Sequence, residues 1–148
     1  MHPPTPTPTP CQRLCSSALW AVLVLTAPSS ALASAEDCNA FSQNDRLTCL
    51  DKAVAASELE LTQARTALAS AIGRWDEDAK YQAAAKRQLD AADQAFAKHR
   101  VAHCDLQKSL GGGAVGNGLE MRRLLCVEAL NAARAAQLSQ MAKSLPQR

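Results

Sequence analysis

RLTCLDKAVAASELELTQARTALASAIG, residues 46–73, decides the fold. Leu47, Leu50, Val54, Leu61, Ala64, Leu68 and Ala71 recur at steps that fit a helix, and Trp75 continues the series. That spacing is one apolar stripe of a long helix rather than the alternation of a strand. Upstream, Ser42 suits the N-cap, with Asp45 three residues on as a capping-box partner. Downstream, Gly73 suits the C′ position.

Two more helices follow by the same reasoning. In WDEDAK, Asp76 suits a cap, and Glu77 and Asp78 favour the positive end of a helix dipole. The apolar face then runs through Tyr81, Ala85, Leu89, Ala92, Phe96, His99 and His103 and stops at Gly111. GGGAVGNG, residues 111–118, must break the helix. Asn117 with Glu120 resembles a capping box for a third helix, buried through Leu125, Leu130, Leu138 and Met141 and ended by Pro146. The expected helices are 42–72, 77–110 and 118–144. Alanine at many facing positions lets them approach closely, so the expected fold is all-α, a slender antiparallel three-helix bundle.

The first 35 residues read as a signal peptide. A Pro/Thr repeat with one positive charge precedes the apolar run LCSSALWAVLVLTA, residues 14–27, which is short for a membrane span. Ala33-Ser34-Ala35 offers the small-x-small pattern of signal peptidase, with 31–33 as a competing site. Neither Cys15, after Leu14, nor Cys38, after Asp37, sits in a lipoprotein context. Removing 35 of 148 residues leaves the expected mature domain 36–148, 113 residues long, in the periplasm or outside the cell. Arg13 is the only charge lost, which leaves 15 basic against 14 acidic residues. A near-neutral chain with interspersed signs is a poor match for nucleic acid or an anionic membrane surface.

Cys38, Cys49, Cys104 and Cys126 remain after cleavage, beside only four aromatic residues, Phe41, Trp75, Tyr81 and Phe96. So thin a core gains from staples. Four cysteines allow three pairings. In an up-down-up bundle all four gather at one end, and the sequence-local pairs Cys38–Cys49 and Cys104–Cys126 are the favoured pairing, leaving the turn near Gly73 without a staple. The rival use is a metal site, because His99, His103 and Cys104 share one helix. An even cysteine count in an exported chain favours disulfides, no CxxC is present and no carboxylate completes the motif, so no metal and no cofactor is expected. The sequence has no GxSxG, no HExxH, no phosphate loop and no dinucleotide fingerprint, so an enzyme is not expected.

With helices and cysteines placed, the chain resembles the lysozyme inhibitor LprI-like family of small exported helical domains. The resemblance runs through DCNAFSQNDRLTC (residues 37–49), Ser57-Glu58, Leu61-Thr62 and AFAKHR (residues 95–100) to Cys104. It continues in Gly111-Gly112, Cys126, Leu130 and Arg134. Phe96 stands where the family favours tryptophan, Val101 where it favours an acid, Asn131 where it favours threonine, and Arg65 where tyrosine is common. The resemblance implies an inhibitor that binds a lysozyme and protects the cell wall. A plug for a cleft holding two carboxylates needs a protruding segment rich in donors. The candidate partner-binding residues are therefore Gly111, Gly112, Gly113 and Asn117 in the loop, with Arg100, His103 and Lys108 beside it. The alternative is a non-catalytic interaction or structural module that uses its long helical faces on an unknown partner.

Overall fold

A computed structural model describes residues 35–148 except 115, all within one compact unit, Ala31–Arg148. The expected signal peptide lies outside the described residues. A short 3-10 helix, Ala35–Ala40, leads into α1 (Gln43–Gly73), α2 (Ala79–Ser109) and α3 (Gly118–Ser144). The all-α fold and each helix are as the sequence predicts. α1 and α2 hold 31 residues each, about 46 Å at 1.5 Å per residue. Among the described residues no helix is long and apolar enough to cross a membrane.

The three helices do not share the core equally. α1 buries seven residues and α3 six, whereas α2 buries only Leu89 and Cys104. α1 and α3 run side by side in parallel, and α2 leans antiparallel against the pair. Tyr81 and Met141, expected on buried faces, are half or nearly half exposed, because α2 covers only part of the groove it lies on.

The apolar core falls into two clusters. Leu50, Met121 and Leu124 pack around Cys38 at one end. Ala64, Leu68, Ile72, Leu89, Ala135 and Leu138 fill the other. Between them lies a buried polar layer. Asn131 of α3, fully buried, donates its Nδ2 to Ser57 Oγ of α1 at 3.0 Å and accepts from Arg100 Nη1 of α2 at 2.5 Å. Ser57 Oγ in turn donates to the Val54 carbonyl at 2.7 Å. Every helix contributes one member, so the layer is satisfied only when all three are in register.

Both expected disulfides are present, Cys38–Cys49 and Cys104–Cys126. The opposite end has no disulfide among the described residues, yet it is tied by hydrogen bonds. Asp76 N–H donates to the Pro146 carbonyl at 3.1 Å, Arg148 N–H to the Arg74 carbonyl at 3.2 Å, and Arg148 Nε to Asp76 Oδ1 at 3.1 Å. Trp75 and Gln147 pair as an isolated antiparallel bridge. The C-terminal residues thus do for the α1–α2 turn what the disulfides do for the other end.

The helix ends differ from expectation in detail. Ser42 caps α1 as predicted, accepting from Asp45 N–H at 3.5 Å. Gly73 is the last helical residue rather than a left-handed cap; the positive-φ glycines are Gly112 and Gly116. Asp78, not Asp76, occupies the α2 N-cap, and its side chain makes no capping bond. Asn117 holds the α3 N-cap, also without a side-chain bond, and Glu120 engages Lys108 and Arg123 instead of reaching back.

Candidate functional site

The stapled end holds all the candidate residues but Arg100. Cys38–Cys49 pins the 3-10 helix against the first turns of α1, and Arg46 Nη2 reinforces it by donating to Asn39 Oδ1 at 2.6 Å. Cys104–Cys126 joins the last turns of α2 to the first turns of α3, closing the glycine loop between them. The loop begins as successive turns: Gly111 N–H donates to the Lys108 carbonyl at 3.0 Å, Gly112 N–H to the Ser109 carbonyl at 3.1 Å, and Ala114 N–H to the Gly111 carbonyl at 3.4 Å.

The glycines are not equivalent. A Cβ on Gly111 would collide with Leu119 Cδ2 and lie 3.1 Å from the Lys108 carbonyl oxygen, so this glycine lets the loop lie against the start of α3. Gly112 has φ +60 and open space around it, and Gly113 likewise faces nothing. Both are exposed. They form the tip, with Leu110 two-thirds exposed at its shoulder and Leu106 one turn earlier.

One carboxylate organises the base of the loop. Glu120 bonds Arg123 at 2.6 Å and Lys108 at 2.9 Å, bridging α2 and α3. The Arg123 hydrogen bond first, then that of Lys108, brings its carboxyl down from 4.5 to about 2. Lys108 is therefore a clamp on the loop, with its charge already matched.

Beside the loop, all three helices enclose an open cleft of about 680 Å³. Arg46 comes from α1, His103 and Gln107 from α2, and Met121, Arg122 and Leu125 from α3. No Asp or Glu lines it. The His103 ring lies 5.4 Å from that of His99. Cys104 is held in a disulfide, which removes the thiolate that a metal site on this helix would need, and among the described residues no group of three His, Cys, Asp or Glu side chains is placed to hold a metal ion.

The candidate set is therefore divided. His103, Lys108, the three glycines and Asn117 gather at the stapled end. Arg100 does not. Its guanidinium turns into the polar layer, bonded to Asn131 and 3.7 Å from Glu58, with the side chain only 22 % exposed. Phe96 lies beneath it, its ring 5.9 Å from Arg100 and 5.8 Å from Arg134. Arg134 also reaches Asp93 at 3.6 Å, and Asp93 accepts from Arg65 Nε at 2.5 Å. Ser57, Glu58, Phe96, Arg100, Asn131 and Arg134, scattered in the sequence, thus meet around one interhelical layer. They position the helices.

Arg46, Gln107 and Arg122 did not stand out in the sequence. They are remote from one another and become neighbours only once three helix ends are brought together. The one available signal was Arg46 in the segment 37–49, which carries the family resemblance.

Fold and stapled end together define a class: small all-helical domains held by disulfides, with a glycine loop and a basic cleft at the braced end. Within it, the chain belongs to the lysozyme inhibitor LprI family, whose profile matches residues 35–138. The matched span takes in both disulfides, the polar layer and the loop, and stops before the C-terminal residues that tie the α1–α2 turn. Comparison with curated proteins and with solved structures finds no match.

Proposed function

We propose that this protein is an exported inhibitor that binds a lysozyme-type glycosidase and blocks it, protecting peptidoglycan. The observation that carries this reading is membership of the lysozyme inhibitor LprI family over residues 35–138. Two disulfides in so small a body suit an oxidising compartment, which agrees with export through the leader.

The surface that meets the enzyme is the stapled end. Gly111, Gly112, Gly113 and Asn117 form the inserting loop, with His103 beside it and Lys108 bracing its base. Exposed Gly112 and Gly113 leave the tip narrow enough to enter a cleft. Leu106 and Leu110 add apolar contact at the shoulder, where large exposed hydrophobics are otherwise a liability. The disulfides hold the loop in place before binding, which reduces the ordering cost of association.

The test is a cell-wall clearing assay with the purified oxidised protein titrated against chicken-type and goose-type lysozymes. Stoichiometric loss of clearing with either class is the expected result. Gly112→Asp combined with Asn117→Ala should remove inhibition while circular dichroism shows unchanged helicity. Unchanged clearing at excess protein with both classes overturns the reading in favour of an interaction module working through its helical faces.

A further inference from the structure

We infer that the cleft between Arg46 and Arg122 is a receptor for a carboxylate: it takes an Asp or Glu side chain from an acidic segment of the protein partner. The inference deepens the proposed inhibition and rests on it only for which protein supplies that segment.

Arg46 stands apart from the other arginines. Arg65, Arg100, Arg123 and Arg134, all half-buried, each have a carboxylate within ion-pair distance. Among the described residues, Arg46 is the one half-buried arginine that has none. Its Nη2 is held by the neutral oxygen of Asn39, which fixes the guanidinium without matching its charge. Its Nε is buried without a hydrogen-bond partner, as is that of Arg134, so what sets Arg46 apart is the missing carboxylate. With Nη2 engaged by Asn39 and Nε shielded, an incoming carboxylate meets the guanidinium edge that lines the cleft, in a charge-assisted hydrogen bond. Across the cleft Arg122 adds a second positive charge, also outside any ion pair among the described residues.

The rest of the cleft fits an acidic side chain better than a bare ion. No carboxylate lines it to compete, and Met121 and Leu125 give an apolar wall for the methylene groups of a Glu or Asp. Gln107 supplies an amide that can bond the incoming backbone. At about 680 Å³ the cleft holds several side chains, so a protein segment fills it where a small anion would not. A nucleic acid is a poor match, because the mature chain is near neutral and two arginines make no track along a phosphate backbone. The walls are braced on both sides: Cys126 lines the cleft and is bonded to Cys104, and Arg46 lies three residues from Cys49. The receptor is therefore formed before the partner arrives.

Two experiments test this and separate it from the inhibition itself. First, isotope-labelled wild-type protein is titrated with an acetylated pentaglutamate peptide and, in parallel, with pentaglutamine. Shifts confined to the amides around Arg46, Met121 and Arg122 with the glutamate peptide alone are expected. Equal shifts with both peptides, or shifts spread over surface lysines, overturn the inference. Second, lysozyme affinity is compared between wild type and Arg46→Gln/Arg122→Gln at low and near-physiological salt, with Arg87→Gln as the surface control. The double variant should bind about tenfold more weakly or worse and lose most of the salt dependence, with its helicity and disulfides intact. Unchanged affinity and salt dependence overturn the inference. If no lysozyme binds wild type but pentaglutamate still docks at the cleft, the inhibitor reading fails and the carboxylate receptor stands. If inhibition is strong and pentaglutamate finds no site, the reverse holds.

Discussion

Asn131 donates its side-chain amide to the Ser57 hydroxyl at 3.0 Å across the α1–α3 contact, with both residues buried. The same Asn131 accepts from Arg100, so one amide satisfies groups on the two other helices. Sliding any helix by one turn would leave at least one of these groups buried and unpaired, which an apolar layer would not punish. The layer therefore fixes register in a bundle whose alanine-rich faces permit several packings.

Asn131→Ala removes the shared partner and should destabilise the protein by about 2–3 kcal/mol, since Arg100 and Ser57 both lose a bond. Ser57→Ala deletes only the far member and should cost about 1 kcal/mol. Chemical denaturation of both single variants and the double variant measures this, and the two costs should fall short of additive by several tenths of a kcal/mol or more. Strict additivity would mean that the layer is a set of separate contacts.

The C-terminal residues predict a second effect. Truncation after Leu145 removes the Pro146 carbonyl that accepts from Asp76 N–H and the Arg148 contacts to Arg74 and Asp76. These bonds are exposed, so the loss should be only about 1 kcal/mol, a melting shift of a few degrees. The Asp76 amide should lose its hydrogen-exchange protection while amides in the middle of α1 keep theirs. Unchanged exchange at Asp76 would show that the turn holds itself.

The helices were legible because their signals are local. Ser42, the glycine run and the apolar spacing of 47–71 act within a few turns, and the predicted bounds fall close to Gln43–Gly73, Ala79–Ser109 and Gly118–Ser144. The caps were less legible, since Asp76, Asp78, Asn117 and Glu120 each have several partners in reach and tertiary contacts choose among them. Glu120 illustrates this: a capping-box residue by spacing, it was drawn away by Lys108 on another helix. The unequal share of α2 was hidden for a similar reason. Tyr81, Ala92 and His99 sit at apolar spacing, but whether a helix buries its stripe depends on the width of the groove it meets. Asn131 and Arg100 were out of reach altogether as a pair, because each looks like a surface residue until the third helix arrives.

The loop glycines give a graded test. Gly113→Ala adds a methyl group that meets nothing and should leave stability within about 0.5 kcal/mol. Gly112→Ala forces a Cβ onto a left-handed backbone at φ +60 and should cost about 1 kcal/mol. Gly111→Ala meets the Leu119 side chain and the Lys108 carbonyl, so it should cost at least as much and disturb the start of α3, visible as amide shifts at Leu119 and Glu120. A Gly113 variant as damaging as the Gly111 variant would contradict the open space around the tip.

Glu120 sets the acid limb of stability. Its carboxyl is held down to about 2 in the folded protein, against 4.5 for the free group, by Arg123 and then Lys108. A depressed carboxyl stabilises the fold when ionised, so the contribution is whole above pH 4.5 and is lost as the pH falls from there toward 2. Because the side chain is 36 % exposed, solvent and salt screen the pair, and the measured amplitude should be well below that of a buried bridge. Denaturation midpoints recorded across that window should fall less steeply for Glu120→Gln than for wild type, and added salt should narrow the gap. Since Glu120 clamps Lys108 and Arg123 at the foot of the loop, acid should also loosen the glycine loop before it melts the helices. Amide exchange at residues 111–114 should therefore rise at a higher pH than exchange in the middle of α1. Simultaneous loss in both places would show that the clamp and the bundle open as one unit.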